Sequence, residues 1–254
     1  MKKILLLILF FIYPLFANAN QEETLILLDA SVSMLEPLGE TPKYILAINE
    51  AKKVITNLDK SKPIGLRTIG ISIENAMDIL SGDSEIFCKG TKLLSPIAPN
   101  NSNEINTKLD LIFPLGTTPI TYSLQEAIKN DFNSSSYKHI ILITDGGESC
   151  NADPCSYIRG VMSSRSDIKI DVIAIGVTGN DANELSCLAN ATSGQMFNVK
   201  NPDDLSTAMN KFIHNSSLIP QYNHPNISNK IQTNINSYIK KEPDIKYKNY
   251  LLVE

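Results

Sequence analysis

The chain has 254 residues, 23 of them Lys or Arg and 27 Asp or Glu, for a formal net charge of −4. With 43% hydrophobic and 20% charged residues it suits a folded globule and not a disordered chain. Its acidic balance argues against nucleic acid as a partner.

The chain begins MKKILLLILFFIYPLFANA: two lysines, an apolar run, then Ala17-Asn18-Ala19. This is the pattern of a secretory signal peptide over residues 1–19, with an uncleaved N-terminal anchor as the other reading. No cysteine stands near the cleavage point, which argues against a lipoprotein. No second long apolar stretch follows, so no transmembrane segment is expected after cleavage. Loss of Lys2 and Lys3 leaves 21 basic residues against 27 acidic ones, a charge of −6. The expected location is exported, periplasmic or secreted.

Residues 25–29, LILLD, predict a buried strand. Residues 42–58 predict a helix that puts Ile45, Ile48, Ala51, Ile55 and Leu58 on one face, with Pro42 at its start. A strand is expected at 65–72, then a polar stretch holding Gly82, Asp83 and Gly90. KLLSPI follows as a short edge strand that Pro96 ends. A helix near 103–112, the turn PLGTTP, a helix at 120–132 and a strand at 138–144 come next. Then follow a helix near 154–164, a strand at 169–177 and a helix at 182–194 stopped by Gly194. QMFNV gives a last strand, and 202–215 a last helix with acids in its first turn. From 215 to 254 the composition turns to Asn, Ser, Pro, Tyr and Lys, read as a polar, flexible C-terminal tail.

Apolar strands alternating with helices predict an α/β fold: a doubly wound, mostly parallel central sheet, helices on both faces, and one short antiparallel edge strand. The domain is expected over residues 20–214. Such sheets bind ligands beyond the carboxyl ends of their strands. Asp29 and Asp145 each close an apolar strand run, at that end.

Cys88, Cys150, Cys155 and Cys187 form an even set, which in an exported chain argues for two disulfides. Three pairings are open. Closure of the short loop CNADPC would join Cys150 to Cys155 and leave Cys88 with Cys187. Zinc is disfavoured, because there is no CxxC pair and His139, His214 and His224 show no ligand spacing.

Three loops can share one rim of such a sheet. The first is D-x-S-x-S at Asp29, Ser31 and Ser33, the second the turn with Thr117, Thr118 and Pro119, and the third DGG opening at Asp145. Together they offer hydroxyls and carboxylates without sulfur or imidazole. That set suits a hard divalent cation, Mg²⁺ above all, with Ca²⁺ or Mn²⁺ as other candidates. The metal-free reading is that Ser and Asp satisfy turn and helix N–H groups.

DASVS, GTTP and ITDGG, in this order, resemble the three parts of the metal-ion-dependent adhesion site of von Willebrand factor type A domains. ITDGGESCNADPC, Cys88 ahead of KLLSPIAP, and LSCLANATSGQMF resemble a branch of bacterial exported members of that family. The resemblance implies the family's Rossmann-like fold. It implies direct hydroxyl ligands at Ser31, Ser33 and Thr118, with Asp29 and Asp145 acting mainly through water. Thr118 and not Thr117 matches, because the family's Gly-Gly-Thr-Pro reads here as Gly116-Thr117-Thr118-Pro119. Thr117 and Val32 depart from the pattern without removing a ligand. Neutral hydroxyl ligands leave the cation much of its charge and a position for a partner's carboxylate.

The function expected is thus an exported protein-binding or adhesion module whose cation accepts an acidic residue of a partner protein. The alternative is a structural or envelope-assembly factor that does not use the metal site. No nucleophile elbow, zinc-protease helix or phosphate-binding loop is present, so no enzyme is expected. Glu148 is read as a solvated loop acid, or else as a residue that tunes the site or meets a partner, and His139 as facing solvent or capping a neighbour.

Overall fold

The computed structural model describes residues 22–70, 87–133 and 135–214. The expected signal peptide, the expected C-terminal tail, Gly82 and Asp83 lie outside them. Six strands form the central sheet: β1 (Glu22–Asp29), β4 (Ile64–Ile69), β5 (Thr91–Ala98), β6 (Tyr137–Thr144), β7 (Ile168–Ile175) and β8 (Met196–Val199). Their order is β5-β4-β1-β6-β7-β8. Every ladder is parallel except β4 with β5. A second, two-stranded sheet pairs β2 (Pro37–Leu38) with β3 (Thr41–Pro42). The helices are α1 (Lys43–Thr56), α2 (Ser102–Leu109), α3 (Ile120–Asn130), α4 (Pro154–Met162), α5 (Gly179–Ala191) and α6 (Pro202–His214). The doubly wound, mostly parallel α/β fold is therefore present. Among the described residues no helix is long and apolar enough to cross a membrane.

The apolar run of β1 has a direct cause. Side chains alternate between the faces of a strand, and this strand is covered on both. Ile26 and Leu28 pack with Ile48 of α1, Leu109 of α2 and Met209 of α6. Leu27, between them, packs with Leu124 of α3, Ile158 of α4 and Leu188 of α5. The chain moves from β1 to β4 on one side, and from β6 to β7 and β8 on the other. The order reverses between β1 and β6, so the rim above those two strands is the switch point.

Three local expectations are corrected. Pro96 does not end the edge strand, which runs on to Ala98. Pro96 is exposed on the sheet's outermost strand, and the register with β4 slips beside it, so its missing N–H breaks no ladder bond. The fifth helix ends at Ala191, and Ser193, at φ 58°, makes the left-handed turn. Gly194 serves close approach instead: a Cβ there would lie 1.9 Å from the Ile170 carbonyl oxygen.

The third correction is His139. It sits within β6, buried, with Nε2 2.8 Å from Asp171 Oδ2 and Nδ1 3.2 Å from Glu22 Oε1. Burial opposes charging the ring, but the two carboxylates outweigh it and raise its pKa above the usual 6.5. A raised histidine pKa stabilises the fold fully below 6.5, and that contribution is lost as pH climbs through the folded value. The melting temperature is therefore expected to fall as pH rises above 6.5. His139→Gln should flatten that slope in melts across pH 5–9; an unchanged slope would refute the assignment.

Candidate metal centre

Asp29 is the last residue of β1 and has no solvent exposure. Its Oδ1 accepts the Ser31 N–H at 2.7 Å and its Oδ2 the Thr144 hydroxyl at 2.6 Å. Burial pushes its carboxyl up to about 6, aided by the nearby Asp145 charge and opposed by the Thr144 and Ser31 hydrogen bonds. The N–H bond turns the chain so that Ser31 and Ser33 both point along the rim. Ser31 Oγ lies 3.0 Å from Ser33 Oγ, and Ser33 Oγ donates to Asp145 Oδ1 at 2.7 Å. Two loops that are 112 residues apart in sequence thus join in one chain of oxygens.

Main-chain bonds bring in the second loop. Val32 N–H donates to Gly116 O at 3.0 Å, and Leu115 N–H to Ala30 O at 2.9 Å. Thr118 donates its N–H to Ser149 Oγ at 2.7 Å and accepts the Ser149 N–H at its carbonyl, 3.2 Å away. Thr118 is buried beside the rim, and the hydrogen bonds that place it are made by its backbone. Gly70, at φ 84°, closes the floor: a Cβ there would meet the carbonyls of Ala30 and Thr117 at 3.0 and 3.1 Å.

Glu148 is half-buried, and both its carboxylate oxygens are engaged. Its Oε2 accepts the Thr121 N–H in the first turn of α3 at 2.8 Å, and its Oε1 accepts the Cys150 N–H at 2.9 Å. It caps α3 and pins the third loop to it.

The disulfides are Cys88–Cys150 and Cys155–Cys187, with Cα separations of 5.5 and 5.7 Å. The CNADPC loop does not close on itself. Asn151, at φ 57°, turns the chain, and Asp153 caps α4 by accepting the Ser156 N–H. Cys155 then belongs to the first turn of α4 and faces α5, while Cys150 stays with the rim. Thr117 Oγ1 donates to Phe87 O at 2.6 Å beside this bridge, which makes residues 87–88 part of the site's frame.

Sequence reasoning overlooked Thr144, Ser149, Glu36 and Lys43. Lys43 Nζ lies 2.8 Å from Asp145 Oδ2 and 2.9 Å from Glu36 Oε2. The one signal for it was a basic residue in the first turn of a helix, where the dipole disfavours a cation.

Among the described residues no group of three or more His, Cys, Asp and Glu is arranged to hold a metal, so hydroxyls decide the fit here. The donors fit a hard divalent cation on two observations. Ser33 Oγ stands 3.0 Å from Ser31 Oγ and 2.7 Å from Asp145 Oδ1, so hydroxyl and carboxylate oxygens converge along the rim. An ammonium already rests on the Asp145 carboxylate, which marks the spot as one that draws positive charge.

The profile of the von Willebrand factor type A domain family matches residues 25–211. The chain is similar to YwmD of Bacillus subtilis (strain 168), at 28% identity over 204 residues, 78% of this chain and 88% of that protein. Among solved structures it is similar to a von Willebrand factor type A protein from Catenulispora acidiphila: TM-score 0.59, 19% identity, 77% of this chain and 42% of that one. It is also similar to proximal thread matrix protein 1 of the mussel byssus, solved with its metal-ion-dependent adhesion site occupied by zinc: TM-score 0.58, 19% identity, 78% of this chain and 46% of that one. The chain spans less than half the length of either of these two solved chains.

Proposed function

We infer the function from one premise: this chain belongs to the von Willebrand factor type A domain family, whose members typically mediate protein–protein contacts or adhesion. It is an exported, non-catalytic binding module that grips an acidic residue of a partner protein through a divalent cation, Mg²⁺ first. The observation that carries this reading is the hydrogen-bonded run from Ser31 through Ser33 to Asp145, which unites the first and third loops.

The hydroxyls of Ser31, Ser33 and Thr118 would hold the ion, with the Asp29 and Asp145 carboxylates behind them. The ion would supply a localised positive charge for a partner's carboxylate. The chain's own residues do the positioning. Asp29 fixes the backbone of the first loop, Thr144 fixes Asp29, and Ser149 with Glu148 hold the second and third loops together. Val32 stands exposed at 55% between the two serines, where a partner would touch it first. Among the described residues a hydrolytic reading finds no histidine at the rim: His139 is engaged by Asp171 and Glu22, five residues before Thr144 on β6.

The test is calorimetric titration of Mg²⁺ into chelator-stripped protein. Saturable binding is expected, and it should be lost in Asp145→Ala. Saturable binding that survives Asp145→Ala unchanged would remove the cation from this rim.

A further inference from the structure

Lys43 is the first residue of α1, yet its side chain is only 12% exposed and lies against the proposed cation site. A solvated lysine on the same helix, Lys53, is 50% exposed. The placement of Lys43 is built by the backbone. The β2–β3 ribbon turns at Gly39, whose φ of 71° suits the first position of a two-residue hairpin turn. Pro37 pairs with Pro42 in that ribbon, so Glu36 and Lys43 form the next pair, and the Lys43 N–H donates to Glu36 O at 3.0 Å. The ribbon therefore presents the two side chains together at the rim.

Lys43 Nζ has two carboxylate partners of different character. Asp145, at 2.8 Å, has a fully buried side chain, and its other oxygen is committed to Ser33. Glu36, at 2.9 Å, is 69% exposed. A divalent cation on Asp145 and this ammonium would claim the same buried carboxylate, and two positive charges cannot share it without strong repulsion. Glu36 offers the lysine somewhere to go within the reach of one flexible side chain.

We propose that Lys43 is a specificity-determining residue of this site: a tethered ammonium that competes with the divalent cation for Asp145 and withdraws to Glu36 when the cation binds. The inference rests on the cation-binding reading above. It makes the rim discriminating, because an ion must outcompete a covalently attached positive charge. Weakly held monovalent ions fail, and a divalent ion loads only above a concentration that the lysine sets.

Titration of Mg²⁺ alone into chelator-stripped protein tests this on four chains: wild type, Lys43→Met, Glu36→Gln and the double variant. Lys43→Met should bind Mg²⁺ at least about tenfold more tightly, since the competitor is gone. Glu36→Gln should bind about threefold or more weakly, since the lysine has lost its second partner. In the Lys43→Met background Glu36→Gln should change nothing, which separates this exchange from a general loss of negative charge. Equal or weaker Mg²⁺ affinity in Lys43→Met, with wild-type binding still lost in Asp145→Ala, overturns the role of the lysine and leaves the cation site standing. Absence of binding in all four chains overturns both. Should Lys43→Met fail to fold, Glu36→Gln at its exposed position decides alone: unchanged or tighter binding overturns the proposal.

Discussion

Opening the Cys88–Cys150 bridge with the pair Cys88→Ala and Cys150→Ala is expected to lower stability by about 4 kcal/mol, from the entropy returned to an unfolded loop of this size. The bridge spans 62 residues. On the cation-binding proposal, the same pair should weaken Mg²⁺ binding by roughly 10- to 100-fold, the range typical of outer-shell supports of a metal site. Cys150 directly follows Ser149, which holds Thr118 by two hydrogen bonds, and Cys88 follows Phe87, which holds Thr117. The bridge therefore ties the frame of the second loop to the third. Cys155–Cys187 supplies the control. It spans 32 residues and joins α4 to α5, one step removed from Thr117 and Thr118, since α5 meets the third loop where Glu184 accepts the Glu148 N–H at 2.8 Å. Its removal should cost a similar amount, about 4 kcal/mol, and leave Mg²⁺ affinity unchanged. Melting and titration of the two paired variants check both halves. Equal Mg²⁺ affinities in the two would show that the first bridge does not hold the site.

Arg67→Ala is expected to destabilise the domain by about 3–5 kcal/mol, the usual effect of stranding one half of a buried ion pair. At about 2–4 °C per kcal/mol for a domain of this size, the melting temperature should drop by roughly 6–20 °C. Arg67 projects from β4 and grips Asp131, at the end of α3, with two bonds of 2.6 and 2.7 Å from Nε and Nη2. Nη1 reaches Thr91 Oγ1 on β5 at 3.2 Å. The side chains are 7% and 1% exposed, so the Asp131 carboxylate would be left unpaired in a largely buried place. The double change Arg67→Met with Asp131→Leu should recover most of the loss, because the cost comes from the unpaired charge and not from the missing attraction. A single Arg67→Ala variant that melts within a degree of wild type would show that solvent reaches Asp131.

Much of the candidate site is visible in the sequence, because its oxygen donors sit where a parallel sheet must place them. An apolar strand in the middle of such a sheet ends abruptly at the rim, and the first polar residue after it has no choice of location. Asp29 after LILL and Asp145 after IILIT are such residues, and β1 and β6 are neighbours in the sheet. Ser31 and Ser33 follow at fixed short spacing, so their arrival beside Asp29 is a local matter. Thr118 is harder to place from sequence: it is carried to the rim by backbone bonds to Ser149 rather than by its own strand.

Other residues could not be read this way. Glu148 looks like a loop acid until α3 is packed behind it and the Thr121 N–H needs an acceptor. His139 looks like a strand-edge residue until β7 brings Asp171 to one nitrogen and β1 brings Glu22 to the other. Pro96 reads as a strand terminator in one dimension, and only its place on the outermost strand removes that force.

The alternation of strand and helix, the doubly wound class and the cluster Asp29, Ser31 and Ser33 are legible from local pattern alone. Each follows from side-chain period or from contacts a few residues apart. Packing in three dimensions sets the pairing of Cys88 with Cys150 and of Cys155 with Cys187, the cap made by Glu148, and the ammonium of Lys43 on Asp145. Those contacts join residues 27 to 102 positions apart. Local pattern cannot encode which of several chemically suitable partners ends up within 3 Å, because the sheet order and the packing of helices on it choose among them.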